Sequence, residues 1–325
     1  MGGYSLELCA GAGGQALGLE RAGFEHAGLV ELDPHACNTL RLNRPKWTVH
    51  EEDLNAFDGR LYKGIDLLAG GFPCPPFSIA GKQLGANDER DLFPAGLRII
   101  DEIRPKAVMI ENVRGILSPS FAGYRAAIDD QLKSMGYQTF WKLINTAEFG
   151  VSQVRQRVII VAVRKPYAAD FCWPKIGKAP PNIGKLLADL MGSNGWRGVE
   201  QWRRLANTIA PTIVGGSKKH GGPDLGPTRA RKAWAELGVN GISIADAAPD
   251  AQFEGMPRLT VQMVARIQGF PDDWRFWGKK TAAYRQVGNA FPPPAAFAVA
   301  RAIATAISPK TSRKVATKVW HPALV

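Results

Sequence analysis

One turn constrains this chain more than any other feature. Residues 6–14 read LELCAGAGG, with an apolar strand pattern over 4–8 entering the turn and a helical pattern over 15–22 leaving it. Glycines let the backbone approach a ligand closely, and the helix N-terminus that follows presents unpaired N–H groups. Gly11, Gly13 and Ala16 fit the dinucleotide spacing G-x-G-x-x-G/A. Glu31 lies near the end of the next strand pattern, 27–32, at the distance where an acid meets ribose hydroxyls in such folds. The pattern predicts a site for an adenosine-bearing ligand. It does not separate a nicotinamide from S-adenosylmethionine, and its plain structural alternative is a tight turn with no ligand.

The alternation continues. Helical spacing over 34–42, 92–103 and 121–135 is interleaved with buried-type strands at 65–69, 107–110 and 158–163. That order predicts an α/β, doubly wound parallel sheet covered on both faces. Asp53, with Leu54, follows a third strand and is placed to receive an adenine amino group. Near residue 165 the character changes. Residues 165–257 are rich in Gly, Pro, Arg and Trp with weak periodicity, and helical patterning returns at 260–268 and 294–307. The expected division is a large unit of 1–164 and 258–305, a second, smaller irregular unit of 165–257, and a basic tail, 306–325.

Composition narrows the class. The formal net charge of +12 favours partners with phosphate backbones, although basic residues of the tail (Lys310, Arg313, Lys314, Lys318) also fit a solvated surface. Cys9, Cys37, Cys74 and Cys172 include no C-x-x-C pair, and the five histidines have no metal-ligand spacing, so no metal is expected. No apolar run is read as a bilayer span, and the N-terminus lacks a basic-then-apolar leader. The expectation is a cytoplasmic protein with no membrane partner.

Residues 70–78, GGFPCPPFS, follow a strand directly. Prolines and glycines there fix a stiff loop at a strand's carboxyl end, where open α/β sheets bind ligands. Such a loop is a good mount for a nucleophile, provided its surroundings favour the thiolate. A buried structural cysteine is the bland alternative for Cys74. The polar stretch 78–93 reads as a lid, with an ordinary surface loop as the alternative. Glu111, in the ENV that ends the 107–110 strand, is a candidate acid or hydrogen-bond partner, or simply a helix cap.

Taken together, the motifs resemble the DNA (cytosine-5) methyltransferase family. LELCAGAGG is similar to its cofactor turn, VELDPHA (30–36) to its ribose acid motif, GGFPCPPFS to its nucleophile loop and ENVRGI (111–116) to its glutamate motif. FGVSQVRQRVIIVAV (149–163) resembles the Gln-x-Arg-x-Arg motif, and RLTVQMVARIQGFPDDW (258–274) and YRQVGNAFPPPAA (284–296) the last two. The order matches along 1–164 and 258–305. The resemblance implies a Rossmann-like methyltransferase sheet binding S-adenosyl-L-methionine. It implies contacts with that cofactor from Cys9, Gly11, Gly13, Gly14, Glu31, Leu32, Asp53, Leu54, Pro73, Asn289 and Ala290. Three departures bear on it. Pro75 stands where many members have Gln, Cys9 and Leu32 stand where some have aromatics, and Ala290 stands where Ser is frequent.

The implied reaction is methylation of carbon 5 of a flipped-out cytosine in double-stranded DNA. Cys74 adds to carbon 6, Glu111 serves ring nitrogen 3, and Arg155 and Arg157 hold the base carbonyl and a phosphate. A stacked base is out of reach, so it must swing out. Ser78, Gln83 and Arg90 of the lid are the candidate DNA contacts there. Residues 165–257 fall where the family places target recognition, with Arg203, Arg204, Thr212, Lys218 and Lys219 as candidate DNA contacts and Trp196 and Trp202 as aromatic companions, the alternative for any single one being solvated surface or local packing. A monomer is expected, and the resemblance allows a companion restriction endonuclease. The competing readings are a tRNA cytosine-5 methyltransferase, a nicotinamide oxidoreductase and a catalytically silent DNA-binding module.

Overall fold

A computed structural model describes residues 3–72, 91–215 and 222–308. The apolar stretches become β1 (Gly3–Leu8), β2 (Phe24–Glu31), β3 (Val49–Glu51), β4 (Leu67–Gly71) and β5 (Ala107–Val113), to which β6 (Tyr137–Asn145) and β7 (Gln156–Arg164) are added. They form one sheet in the order β3-β2-β1-β4-β5-β7-β6. β1 to β5 pair in parallel, whereas β7 is antiparallel to both β5 and β6. The expected all-parallel sheet is therefore corrected to a mixed one. The link between β6 and β7, residues 146–155, is too short for a covering crossover, so those two strands run antiparallel. β6 escaped sequence reading because, as a half-buried edge strand, it lacks clean alternation.

The helices are α1 (Gly14–Arg21), α2 (Pro34–Asn43), α3 (Phe93–Ile103), α4 (Ala122–Ser134), α5 (Lys165–Ala168) and α6 (Ile183–Met191). They continue with α7 (Val199–Leu205), α8 (Thr228–Glu236), α9 (Val261–Ile267), α10 (Lys280–Asn289) and α11 (Pro293–Ile307). Ile99, Ile103, Ile128 and Leu132 of α3 and α4 pack against Leu6, Leu8, Val108 and Ile160. On the other face Val299, Ala300 and Ile303 of α11 pack with Met109, Ile159 and Val161. Buried side chains on both faces account for the near-continuous apolar runs in the central strands.

Helix α11 lies against α1 at Gly18. A Cβ built there would sit 2.5 Å from Ala296 Cβ, 2.7 Å from Phe297 N and 2.8 Å from Pro293 O. Gly18→Ala is expected to lower stability by about 1–3 kcal/mol despite alanine's better helix propensity, because overpacking outweighs it. Chemical denaturation checks this; an unchanged or raised midpoint would contradict the close approach.

The middle segment holds helices the sequence reading missed. Asn182 caps α6, its side chain accepting from Lys185 N–H, and Ile183, Leu187 and Met191 are buried on one side. These side chains join Trp202 and Trp234 in a cluster with Met263 and Ile267 of α9 and Tyr284 and Val287 of α10. Residues 280–307 are apolar and long enough for a bilayer span by composition. In the fold they are two helices, α10 and α11, interrupted near Pro292 and mostly packed inside.

Candidate active site

Strand order reverses between β1 and β4, and a cavity of about 610 Å³ opens at the carboxyl ends of β1, β4 and β5. Such switch points are where open α/β sheets bind ligands, and the volume suits a nucleoside-sized one.

The glycine turn forms one wall. Cys9, Gly11 and Gly13 take positive φ (54°, 54° and 84°). A Cβ at Gly11 would meet nothing within 4 Å, so this glycine leaves open space on the cavity side. Glu31 organises the turn. Its Oε2 accepts Gly11 N–H at 2.7 Å, and its Oε1 accepts Leu32 N–H and Asp33 N–H, both at 2.8 Å. The carboxylate is thus fixed at the cavity by backbone donors. Trp274 Nε1 donates to Ala12 O from behind at 3.2 Å, tying the turn to the C-terminal part of the chain. Cys9 lines the cavity, but burial first, and then Glu31 and Glu7, push its thiol up, so it is held protonated.

Of the other residues expected at the cofactor, Gly14, Asn289 and Ala290 line the same cavity. Gly13 does not; a Cβ there would run into Leu40 Cδ2 at 2.7 Å. Leu32 is exposed, Asp53 is exposed with its Oδ1 accepting from Asn55, and Leu54 is buried in the core beside Phe57. None of these four lines the cavity.

Strand register assembles the second wall. Val113 of β5 faces Arg157 of β7, so Glu111, two residues away on the same face, is Arg157's diagonal neighbour. Arg157 Nε lies 2.6 Å from Glu111 Oε1, with both side chains 14% exposed at the cavity. Gly71 is paired with Glu111 across β4 and β5, and a Cβ there would lie 3.2 Å from Glu111 Oε2. Asn112 Nδ2 donates to Phe72 O at 2.9 Å and pins the end of β4 where the chain leaves toward residue 73.

The two arginines of the 149–163 motif are separated by the fold. Arg155 is fully buried and does not line the cavity. Its Nη1 donates to Ile213 O at 2.7 Å, and its Nη2 to Gly288 O at 2.8 Å and Ala290 O at 3.1 Å. Burial first, and then Arg157, pull its ionisation down to about 9, which leaves it protonated at neutral pH. Gln153 continues the strap, accepting Ile213 N–H at 2.8 Å and donating to Gln268, which in turn donates to Ala290 O. This buried polar network joins residue 213 to the Asn289–Ala290 corner of the cavity.

Arg203 and Arg204 are exposed on α7, Arg203 pairing with Glu200 of its own helix at 3.1 Å. Thr212 Oγ1 donates to Val154 O at 2.6 Å. Trp196 and Trp202 are core side chains, buried to 8% and 3% exposure, so they pack inside and are not presented to a partner. Pro73, Cys74, Ser78, Gln83, Arg90, Lys218 and Lys219 lie outside the described residues, as do 78–90 of the expected lid and 309–325 of the expected tail. The cavity also includes residues not anticipated as ligands: Glu7, Gln15, Asn112 and Arg285. Their signal was present. An acid inside a buried strand is unusual, and Asn112 and Arg285 sit within motifs already singled out.

The sequence matches the family model for C-5 cytosine-specific DNA methylase over residues 4–305. It is 55% identical over 307 residues to the Type II methyltransferase M.NgoMIV of Neisseria gonorrhoeae, covering 93% of this chain and 97% of that protein. It is 53% identical over 309 residues to the Type II methyltransferase M.NaeI of Lentzea aerocolonigenes, covering 93% and 75%. The fold is similar to the crystal structure of a triple mutant of Spodoptera frugiperda DNMT2. That likeness has TM-score 0.65 at 16% identity and covers 92% of this chain and 99% of that one.

Proposed function

Since the chain belongs to the C-5 cytosine-specific DNA methylase family, we propose that it transfers a methyl group from S-adenosyl-L-methionine to a flipped-out cytosine in a specific double-stranded DNA sequence, through a covalent adduct with Cys74. The observation that carries this reading is the meeting of the glycine turn, Glu31, Glu111 and Arg157 around one cavity at the switch point.

The residues fit the cofactor. Gly11 leaves open space on the cavity side, and Glu31 lines the cavity with its carboxylate fixed by backbone donors, suited to ribose hydroxyls. When bound, the cofactor supplies an electrophilic methyl to the site. The chain's own groups do the rest. Cys74 is two residues beyond Phe72, whose carbonyl is pinned at the cavity wall. Its thiolate adds to carbon 6, making carbon 5 enamine-like; once carbon 5 has taken the methyl group, a base removes the carbon-5 proton and the carbon 6–sulfur bond breaks, returning the Cys74 thiolate. Glu111 serves ring nitrogen 3, holding a proton or hydrogen bond there as charge develops. Arg157 grips Glu111 Oε1 and orients its carboxyl, leaving Oε2 toward Gly71. Cys9 is unsuited to the nucleophile's part because its thiol stays protonated. Arg155 acts as a positioning residue, bracing the Asn289–Ala290 corner.

In this reading residues 165–257 carry target recognition, with the exposed Arg203 and Arg204, together with Lys218 and Lys219, contacting DNA. Ser78, Gln83 and Arg90 support the swung-out base. In this reading the enzyme works as a cytoplasmic monomer, and relatives named Type II methyltransferases support a companion restriction endonuclease.

Bisulfite sequencing of DNA from a methylation-deficient host expressing the chain tests the reading. The expected result is protected cytosines confined to one short recurrent sequence. Genome-wide conversion of every cytosine, with the protein soluble and abundant, would overturn it. Labelled transfer to tRNA but not to duplex DNA would redirect it to RNA.

A further inference from the structure

On the motif alone, Arg155 and Arg157 hold a base carbonyl and a phosphate. The fold engages both elsewhere. Arg155 spends its guanidinium on the buried carbonyls of Ile213, Gly288 and Ala290. Arg157 places Nε on Glu111 and donates from Nη1 to Gln156 O at 2.8 Å. The backbone of a strand whose base enters the cavity must still be met at the mouth, since phosphate contacts are what set register on a duplex.

A third arginine stands at that mouth. Arg114 directly follows Val113, which lines the cavity and faces Arg157 in the β5–β7 register. Val113 and Arg114 are both exposed. Arg114 Nη1 donates to Gln156 Oε1 at 3.0 Å. Gln156 precedes Arg157, so an unbroken string of polar contacts runs from Arg114 through Gln156 and Arg157 to Glu111 inside the cavity.

The tether is neutral, and that decides what Arg114 can do. An acid at 156 would aim the guanidinium and cancel its charge at once. An amide oxygen aims it and leaves the charge whole. Among the described residues Arg114 is held by this neutral partner and forms no ion pair. Its Nε and Nη2 make a two-pronged edge of the kind that fits a phosphate.

We propose that Arg114, aimed by Gln156, binds a phosphodiester group of the target strand at the cavity mouth. This rests on the reading of the chain as acting on a swung-out cytosine in duplex DNA, and it adds a contact outside both 78–93 and 165–257. The backbone would then be gripped by the same string of side chains that orients Glu111.

Equilibrium binding of the full chain to a fluorescently labelled duplex of mixed sequence, repeated across a series of salt concentrations, tests this without knowledge of the recognised site. Each phosphate neutralised by a cation contributes about 0.9 to the slope of log affinity against log salt on B-DNA. Arg114→Gln is expected to weaken binding about five- to tenfold at moderate salt and to shrink that slope by about one. Arg114→Lys should keep the slope and lose part of the affinity, because an ammonium retains the charge without the fork. Gln156→Glu should resemble Arg114→Gln although Arg114 is still present, since the new acid cancels the guanidinium. Lys133→Gln is the charge-matched control. Lys133 is exposed near the end of α4, where Met135 O meets Arg104 just ahead of β5, opposite the strand ends that form the cavity. Its loss should leave affinity and slope as they were.

An Arg114→Gln slope and affinity equal to those of the unaltered chain would overturn the proposal. So would a loss matched by equally weakened S-adenosylhomocysteine binding, which would make Arg114 a support of the cavity wall. If the unaltered chain shows no salt-dependent binding to duplex DNA, the DNA reading itself fails, and this inference with it.

Discussion

Cys74→Ser is expected to abolish methyl transfer, by roughly 10⁴-fold or more, as loss of a nucleophile does elsewhere, while leaving DNA and cofactor binding within a few-fold of the original. A serine hydroxyl ionises far less readily than a thiol and adds poorly to carbon 6, whereas its size disturbs the proline-rich loop little. Radiolabelled methyl incorporation into duplex DNA measures the loss, and band-shift titration measures the binding. The same assay has a positive form. DNA bearing 5-fluorocytosine at the target should trap a protein–DNA adduct that survives denaturing electrophoresis, because fluorine cannot leave as the ring proton does. The serine variant should give no such band. Turnover retained by Cys74→Ser would end the covalent mechanism, and its most direct replacement would have to come from outside Cys9, whose buried thiol is held protonated.

Arg155→Met should destabilise the protein by about 2–4 kcal/mol, the cost of leaving buried acceptors unsatisfied. Methionine fills much of the volume but leaves the carbonyls of Ile213, Gly288 and Ala290 without their donor in a buried setting. Arg155→Lys should fall between, since a single ammonium cannot reproduce the fork that reaches residues 213, 288 and 290 together. Guanidinium denaturation reads the stability. S-adenosylhomocysteine affinity should fall in parallel, because the same carbonyls hold the Asn289–Ala290 corner of the cavity. The contrary outcome is clear: an unchanged denaturation midpoint with lost turnover would assign Arg155 to DNA or base contact, as the motif alone had suggested.

Arg155 and Arg157 show how sequence and structure divide the information. Two residues apart, they look equivalent in a motif. β7 begins between the irregular approach at 151–155 and the regular ladder, and Arg157 takes the side of the sheet that faces Glu111. Arg155, just before the strand, turns inward to backbone carbonyls contributed by residues far along the chain. No local pattern encodes that choice; it depends on where residues 213, 288 and 290 are brought.

The strand–turn–helix opening, the acid at residue 31, the strand leading to residue 72 and the glutamate at 111 were all legible, because each follows from local chemistry. Apolar periodicity, glycine's conformational range and short polar signals at strand ends act over a few residues. The same locality explains the losses. The half-buried edge strand β6 lacks clean alternation, and the helices α7 and α8 are short and set among Gly- and Pro-rich stretches that mask them. Trp196 and Trp202 fit either nucleic-acid contact or local packing on sequence alone, and the fold decides for packing, placing both in the core shared with α9 and α10.

Sequence by itself determined the fold class, the family and the chemical types gathered for the reaction, since these are written in ordered local motifs. Only tertiary structure decided which side chains share the cavity: that Glu111 meets Arg157, that Arg155 is a brace, and that Glu7 and Gln15 both line it. Those facts arise from strand register and from contacts between residues far apart in the chain, such as Arg155 with Gly288, which a linear reading cannot measure.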